Sequence, residues 1–422
     1  MRRLDPDGPA RLLARPEVRA VLAGLDAPGE ETRLVGGCVR DALLRVDAAD
    51  IDLATTLPPN AVIDRARAAG LKAVPTGIEH GTVTLVVAGR PVEVTTLRED
   101  VETDGRHAVV RFGRDFARDA ERRDFTVNAL SLGADGTLHD TTGGRADLAE
   151  ARIRFIGDPA TRIREDALRI LRFFRFHARF GGGTPDAPAL DACVAARVAL
   201  ASLSRERVRM EFLKLLAASG APGAVAILDE TGLLARITGG VAERGRLARA
   251  IEAGAGTIQR LAALSVTTRA DVERLAEGLR LSKAEHATLD AYARALAALK
   301  TPAAIDRSAL RALAAEHGLT ALQAAMDAIV GEPRPVIGPD AVETWRDLRD
   351  GPPPVLPVTG AALVAHGIPA GPRIGIALAA LRRRWLESGC PIGPDAAEAL
   401  IAHALAQDAA AQDTKKPAEP LR

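Results

Sequence analysis

The sequence has few aromatic residues, few cysteines and almost no net charge. Phe, Trp and Tyr make up 3% of its 422 residues, so Ala and Leu supply much of the apolar volume and favour helices. The three cysteines, Cys38, Cys193 and Cys390, are odd in number and far apart, which argues against a disulfide framework. The formal net charge of +1 gives no strong overall field for attracting a polyanion.

Long apolar runs are absent as well. The sequence has no stretch of eighteen apolar residues, and its first residues, MRRLDPDGPARLL, lack the apolar centre of a signal peptide. We therefore expect a cytoplasmic protein with no membrane partner. The sequence leaves the oligomeric state open.

The pattern of apolar residues changes along the chain. Strand-like and helix-like segments alternate up to about residue 140, and most of the remainder has helical periodicity. We expect an α/β head with a small mixed sheet over residues 1–145, followed by an all-α neck (146–215), body (216–335) and tail (336–422). The last dozen residues have the composition of a frayed end.

A glycine pair follows the first predicted strand. Gly36 and Gly37 lie between TRLV and the predicted helix CVRDALLR, where the amides of a helix N-terminus can hold a phosphate. Arg40, one turn into that helix, could add positive charge. A tight turn also needs glycine, so the pair alone leaves both interpretations open.

Carboxylates lie on neighbouring predicted strands. Asp50 and Asp52 in DIDLATT would share one side of a strand, while Ile51 and Leu53 face a core. Glu93 lies on another strand, VEVTTLR. Three carboxylates on one small sheet can bind two divalent ions roughly 4 Å apart, and oxygen ligands favour Mg²⁺. For each acid alone, a solvated strand edge is the alternative.

The segment AERRDFTVNAL combines an arginine pair with a predicted helix start. Arg122 and Arg123 precede Asp124, which could cap an apolar helix, and Asn128 would lie one turn later on the same face. The planar guanidinium suits polyphosphate and ribose contacts. The alternative is a capped surface helix.

Residues 152–180 carry the local positive charge that the whole-chain value hides. Eight arginines stand against three acids there, a surplus of five. Spacing of three places Asp166, Arg169, Arg172 and Arg175 in one polar stripe of a predicted helix. Such a stripe is by default a solvated face.

Two members of this stripe match the edges of particular bases. An ionised Asp166 can only accept a hydrogen bond, whereas Arg169 can only donate. Cytosine and adenine each present an amino donor beside a ring acceptor, which this pair complements. Uracil and guanine present the reverse pattern and would leave buried groups unpaired, at a cost of a few kcal/mol. A protein helix could thus select C and A without a nucleic-acid template.

Seven motifs of the chain resemble, in the same order, those of the class II tRNA nucleotidyltransferases (CCA-adding enzymes) and bacterial poly(A) polymerases, of the polymerase-β-like superfamily. The motifs span residues 33 to about 212 and read GGCVRDALL…DIDLATT, HGTVTL, VEVTTLR, TDGRHAVV, RRDFTVNAL, EDALRILRFFRF and SRERVRMEF. The resemblance implies a polymerase-β-like head. It also implies addition of C, C and A to the 3′ end of tRNA from CTP and ATP, with two Mg²⁺ ions.

The resemblance also implies roles for individual residues. The metal ligands and catalytic carboxylates would be Asp50, Asp52 and Glu93. The nucleotide-binding residues would be Gly36, Gly37, Arg40, Arg123, Asp124, Asn128, Asp166, Arg169, Arg172 and Arg175. The residues that support the amino-acid template would be Glu165, Ser204, Glu206, Arg207 and Glu211. A flexible segment that reshapes the pocket from C to A would include Asp104, Gly105 and Arg106.

Other functions remain as alternatives. A poly(A) polymerase shares the head and neck motifs, but it would benefit from a basic tail, and the last residues supply only Lys415, Lys416 and Arg422 as cations. An enzyme that adds only CC or only A is a second alternative, and the TDGRHAVV segment argues against the CC-only form. A tRNA-binding module with a decayed site is disfavoured, because all three carboxylates are present. A Mg²⁺ phosphohydrolase would leave the arginine stripe without a purpose.

Overall fold

The computed structural model describes residues 2–104, 107–300 and 303–413, and the chain divides into two compact units, Met1–Arg236 and Ile237–Arg422. The strands, all in the first unit, are β1 (Thr32–Val35), β2 (Asp52–Thr55), β3 (Lys72–Gly77), β4 (Thr82–Val87), β5 (Arg90–Thr96), β6 (Arg98–Asp104), β7 (His107–Phe112), β8 (Ser131–Gly133) and β9 (Leu138–His139). The head prediction placed the strands in this part of the chain. The division into head, neck, body and tail stays a prediction.

The helices follow the predicted change of pattern. Those up to the boundary of the two units are α1 (Gly8–Leu13), α2 (Pro16–Leu25), α3 (Gly37–Leu43), α4 (Pro59–Ala68), α5 (Phe116–Glu121), α6 (Gly144–Ala149), α7 (Pro159–Glu165), α8 (Leu168–Phe180), α9 (Ala187–Ala195), α10 (Arg205–Ala217), α11 (Ala221–Glu230) and α12 (Leu233–Thr238). Those of the second unit are α13 (Arg244–Glu252), α14 (Thr257–Ser265), α15 (Arg269–Leu279), α16 (Lys283–Leu299), α17 (Arg307–His317), α18 (Leu319–Ile329), α19 (Pro339–Asp350), α20 (Gly360–Ala365), α21 (Pro372–Glu387) and α22 (Pro394–Asp413).

A seven-stranded mixed sheet forms the centre of the first unit. Its strand order is β3-β4-β5-β2-β1-β8-β9, and β2 pairs with β5 in parallel while the other neighbours are antiparallel. Strands β6 and β7 form a separate hairpin. Helices α2 and α4 pack on the sheet. Buried and accessible side chains alternate along β5, whereas three consecutive residues of β4 are buried.

Six of the twelve aromatic residues gather in one place. Phe125 lies 4.7 Å from Phe155 and 5.3 Å from Phe176 between ring centroids, which joins the end of the sheet region to α8. Phe173, Phe174 and Phe180 continue this cluster along the helix. Aromatic side chains bury large areas, so the cluster holds α8 against the sheet region.

The segment RRDFTVNAL does not form the predicted helix, and this expectation was wrong. It contains only a 3₁₀ turn over Thr126–Asn128, followed by β8. The chain is drawn into the sheet, because Ser131 pairs with Val35 and Gly36 N donates to Leu130 O at 2.9 Å. Long-range strand pairing therefore overrides the helical spacing of this segment and holds it in an extended conformation.

The second unit is built from helices. Helix α16 packs against α14, α15 and α18 and buries Tyr292, which is 2% exposed. A separate apolar cluster surrounds Trp385, whose indole Nε1 donates to Pro391 O at 2.8 Å. Across the described residues of both units, no helix combines the length and apolarity that a membrane span requires.

Candidate active site

The glycine pair forms the predicted turn between β1 and α3. Gly36 has φ 74° and ψ −124°, a backbone conformation that side-chain-bearing residues rarely adopt. A Cβ atom added to Gly36 would lie 2.8 Å from Nη1 of Arg123, which donates to Asn128 O at 3.3 Å. The turn therefore needs glycine both for its backbone and for the close approach of Arg123.

Two of the predicted metal ligands lie opposite each other in the sheet. Asp52 begins β2 and is in register with Glu93 on the parallel strand β5. Glu93 N donates to Ile51 O at 3.0 Å, so pairing begins at Ile51. Ile51 and Leu53 are 4% and 1% exposed, which fits the predicted alternation. Asp50 lies in a bend before the strand, so the expectation that both aspartates belong to one strand was wrong.

The carboxylate region is short of compensating charge. Burial raises the pKa of Asp52 above its ordinary value, and the charges of Glu93 and Asp50 add to the rise, against the opposing effect of Arg123. Within the described ranges, no three Asp, Glu, His or Cys side chains already form a cluster that could hold a metal ion. Like charges repel, so full convergence of these acids requires a cation between them.

The arginine pair of RRDF shares one buried carboxylate, which leaves a net positive charge. Arg122 Nε donates to Asp119 Oδ1 at 2.8 Å, and Arg123 Nη2 donates to Asp119 Oδ2 at 3.1 Å. Asp119 is 4% exposed. This buried carboxylate fixes both guanidinium groups in place, and the sequence analysis did not identify Asp119.

Asp124 joins the sheet region to α8. Its Oδ1 accepts from Asn128 Nδ2 and from the backbone N of Phe125, both at 2.9 Å. Its Oδ2 accepts from Arg172 Nε at 2.7 Å. Asp124 and Asn128 are each 8% exposed. Asp124 therefore links a neck helix to the sheet region instead of capping a helix of its own.

The predicted base-reading helix is interrupted at Asp166, so the expectation of one continuous stripe was wrong. Helix α7 ends at Glu165, Asp166 is extended with φ −153°, and α8 begins at Leu168. The break arises because Asp166 Oδ1 accepts from Leu168 N at 3.0 Å, as a side chain at a helix start does. Asp166 Oδ2 accepts from Arg207 Nη2 at 2.8 Å.

Arg169 is paired with the acid that ends α7. Its Nη1 donates to Arg162 O at 2.8 Å and to a Glu165 carboxylate oxygen. Burial opposes ionisation of Glu165, but hydrogen bonds from Arg169 and Arg162 outweigh it and lower the pKa of that carboxyl. The Asp166 and Arg169 side chains thus each have a protein partner that orients them.

Helix α10 supplies the predicted support residues. Ser204 caps its start by accepting from Arg207 N at 3.4 Å. Glu211 is 6% exposed and has an Oε2 atom 2.7 Å from Arg175 Nε, in a contact that is not aligned as a hydrogen bond. The guanidinium carbon of Arg175 lies 4.3 Å from the ring centroid of Phe176. Glu206 on the same helix is exposed.

The predicted flexible segment lies mostly outside the described residues. Asp104 ends β6, and Gly105 and Arg106 are not among the residues that the structure describes. Its role stays a prediction.

One cavity of about 680 Å³ collects most of the predicted nucleotide-binding and catalytic residues. The predicted residues that line it are Gly36, Gly37, Arg40, Asp50, Asp52, Arg123, Asp124, Asn128, Asp166, Arg169, Arg172, Arg175 and Arg207. Predicted residues outside the lining are Glu93, Glu165, Ser204, Glu206 and Glu211. Nine Arg or Lys and six Asp line the cavity, so it favours a polyanion.

Sequence reasoning missed several lining residues. They include Asp41, Asp47, Phe176, Arg179 and Lys214. Extending the stripe by one turn from Arg175 would have found Arg179. Asp41 and Phe176 lie within the quoted motifs GGCVRDALL and EDALRILRFFRF but were assigned no role, and Asp47 and Lys214 lie outside every motif.

Comparison with known proteins identifies the family. The model of the "Poly A polymerase head domain" matches residues 32–154, and that of the "Probable RNA and SrmB-binding site of polymerase A" matches residues 187–242. The chain is 32% identical to CCA tRNA nucleotidyltransferase 1, mitochondrial, of Mus musculus, over 85% of this chain and 83% of that protein. The chain belongs to the tRNA nucleotidyltransferase and poly(A) polymerase family.

Two further family members are similar to this chain over most of its length. The CCA-adding enzyme of Limosilactobacillus fermentum is 32% identical over 87% of this chain and 92% of that enzyme. The crystal structure of the Bacillus stearothermophilus CCA-adding enzyme in complex with CTP is 28% identical and covers 95% of this chain and all of that one, with a TM-score of 0.71. The family and fold predictions, a polymerase-β-like nucleotidyltransferase head followed by helices, are confirmed.

Proposed function

We propose that the protein adds C, C and A to the 3′ end of tRNA, taking the nucleotides from CTP and ATP and releasing pyrophosphate. One observation carries the proposal: a single basic cavity is bordered by Asp50 and Asp52 on one side and by Asp166 and Arg169 on another. Carboxylates for the reacting centre and a base-reading pair thus share one site. The names of the family members, and the CTP bound to the Bacillus stearothermophilus enzyme, support this assignment.

Mg²⁺ fits the acidic part of this cavity. Asp50 and Asp52 line it, Glu93 lies opposite Asp52 on the neighbouring strand, and all three offer only oxygen atoms, which Mg²⁺ prefers. Burial and repulsion from Glu93 and Asp50 raise the pKa of Asp52, and a bound cation would offset this cost. Two bound ions would activate the tRNA 3′-hydroxyl for attack on the α-phosphate and neutralise the leaving pyrophosphate.

The chain's own residues orient the nucleotide. The amides that follow the glycine turn can hold phosphate oxygens, and Arg123 lies beside them because Asp119 and Asn128 O fix it. Arg172 and Arg175 extend the positive face along α8, where they lie beside Phe176. The site therefore binds the triphosphate of the nucleotide at the glycine turn, and the base of the same nucleotide lies toward α8.

Asp166 and Arg169 are positioned to select the base. A carboxylate that accepts and a guanidinium that donates complement cytosine and adenine and mismatch uracil. Arg207 orients Asp166, and Glu165 orients Arg169. Ser204 caps the start of α10, and Glu211 pairs this helix with Arg175 of α8.

Purified protein tests the proposal with a tRNA that lacks its terminal CCA. We expect two CMP residues and one AMP when CTP and ATP are both present, and arrest after CC when ATP is withheld. Long A tails on unrelated RNA would instead identify a poly(A) polymerase, and a product that stops at CC with both nucleotides present would identify a partial enzyme. Asp52→Ala should abolish incorporation while tRNA binding persists, and retained activity would refute the metal assignment.

The base-reading assignment has its own test. Asp166→Ala should degrade the choice of CTP over UTP more than it weakens tRNA binding, because the lost group contacts the base and not the tRNA body. If UTP stays excluded by this variant, Asp166 does not read the base. The cytoplasmic location expected from the sequence stays a prediction.

A further inference from the structure

One basic side chain of the cavity has no acid of its own. Each of the eight arginines that line the cavity has a carboxylate oxygen no more than 3.7 Å away. The ninth basic residue, Lys214, is exposed and makes no hydrogen bond or ion pair with any residue that the structure describes. Its ammonium group is therefore available to a ligand in the cavity.

Lys214 lies on the face of α10 that is turned toward α8. Arg207, Glu211 and Lys214 follow the spacing i, i+4 and i+7, which places them on one face of the helix. Two of them contact the α8 region: Arg207 Nη2 donates to Asp166 Oδ2 at 2.8 Å, and Glu211 Oε2 is 2.7 Å from Arg175 Nε. Lys214 continues this face into the cavity.

The same two contacts give the direction of α10 relative to α8. Arg207 meets Asp166 just before α8 begins, and Glu211 meets Arg175 farther along that helix. The two helices therefore run in the same direction. Lys214, three residues after Glu211, lies toward the C-terminal end of α8 and about 10 Å along α10 from Arg207. It is thus at the end of α10 remote from the base-reading pair.

The C-terminal end of α8 lies beside the helix that follows the glycine turn. Arg179 of α8 is 3.7 Å from Asp41 of α3. Arg40 of α3 lies over Phe180, with 4.1 Å between the guanidinium carbon and the ring centroid. The amides at the start of α3 are those that can hold phosphate oxygens. Lys214 is therefore at the phosphate end of the cavity.

We propose that Lys214 binds the β- and γ-phosphates of the incoming nucleotide, and the pyrophosphate that these become. This inference deepens the proposed function and rests on it. As the tRNA 3′-oxygen bonds to the α-phosphorus, the bond from that phosphorus to the β-phosphate oxygen breaks, and pyrophosphate leaves with the electron pair. An ammonium group is a compact charge with three rotatable donors on a flexible stem, which suits a phosphate group that moves as it leaves.

Calorimetry of the full-length protein with Mg²⁺ and three ligands tests this contact. Lys214→Met should raise the Kd of CTP and of inorganic pyrophosphate about tenfold or more, because a hydrogen bond to a charged group is lost. The Kd of CMP should not change, because CMP lacks both distal phosphates. An equal weakening of CMP, as a distorted helix would cause, would overturn the inference. Unchanged Kd values for CTP and pyrophosphate would overturn it as well.

The kinetics of incorporation and a conservative variant provide two further checks. Lys214→Met should lower kcat/KM for CTP and UTP by the same factor, because the two nucleotides share the triphosphate. A changed CTP-to-UTP ratio would place Lys214 in base selection and contradict the inference. Lys214→Arg should restore most of the affinity for pyrophosphate, because arginine also donates to phosphate, and failure of this rescue would count against the contact.

A second helical lysine provides the matched control. Lys283 is exposed at the start of α16 in the second unit and does not line the cavity. Lys283→Met should leave all three Kd values unchanged, and a loss equal to that of Lys214→Met would show a general effect of charge instead of a contact. A wild-type protein that binds CTP and pyrophosphate but incorporates no CMP into tRNA would refute the proposed function, whereas the binding measurements decide the role of Lys214.

Discussion

Replacing Gly36 by alanine perturbs the turn beside the carboxylates in a way that can be worked out from its surroundings. Alanine at φ 74° and ψ −124° is strained by about 1–3 kcal/mol, because this backbone conformation lies outside the regions that residues with a Cβ atom adopt. Its Cβ would also lie 2.8 Å from Arg123 Nη1, closer than the two atoms can approach. The guanidinium must therefore move and lose its 3.3 Å bond to Asn128 O.

Gly70 separates the two effects. It has φ 71°, and no atom lies within 4 Å of an added Cβ. Gly70→Ala should therefore cost about 1–2 kcal/mol in the free energy of unfolding without changing activity. Gly36→Ala should cost at least as much in the free energy of unfolding. In addition it should lower kcat/KM for CTP about tenfold or more, because a charge-assisted contact is misplaced.

Single-turnover incorporation of CMP and urea unfolding measure the two quantities. The decisive comparison repeats Gly36→Ala in an Arg123→Met background, where no guanidinium remains to be displaced. The activity loss from Gly36→Ala should then largely vanish. The reasoning fails if Gly36→Ala and Gly70→Ala are equally active, or if the loss persists undiminished in the Arg123→Met protein.

Three further predictions concern single side chains. Glu93→Gln should lower the raised pKa of Asp52 in metal-free protein, as measured by NMR titration. In the wild type, the free energy of unfolding should fall as the pH rises from the ordinary aspartate pKa through the raised pKa of Asp52. Tyr292→Phe should leave the melting temperature unchanged or raise it, because the buried hydroxyl has no partner among the described residues. Trp385→Phe should lower the free energy of unfolding by at least about 1 kcal/mol, because it removes the 2.8 Å hydrogen bond from Nε1 to Pro391 O. Burial raises the pKa of Cys38 to about 11, so this thiol should resist a thiol reagent until the protein unfolds.

Local sequence patterns predicted the elements whose geometry is itself local. Alternating side chains in DIDLATT predicted the buried faces of Ile51 and Leu53, and the glycine pair predicted the turn at Gly36. The helix expected after Asp124 does not form, because the local spacing of apolar residues contains no information about pairing with a distant strand. Pairing with β1 competes with the local preference at Ser131 and wins.

The partners of charged side chains could not be predicted. Asp166 pairs with Arg207, 41 residues away, and Asp124 pairs with Arg172, 48 residues away. With fifty arginines in the chain, composition does not select one partner for each carboxylate. Motif resemblance named most residues that line the cavity, but it gave no reason to expect that Arg40 would be enclosed by Asp41 and Asn128.

The uneven placement of the aromatic residues gives each unit its own optical signature. All nine phenylalanines lie before residue 236, whereas Trp345, Trp385 and Tyr292 lie after it. Indole emission therefore reports the second unit alone, and the sharp phenylalanine bands of the near-ultraviolet spectrum report the first. If the two units melt separately, a denaturation curve recorded only by tryptophan fluorescence would miss the melting of the first unit, which holds the candidate active site. The two signals together would reveal whether the units melt as one.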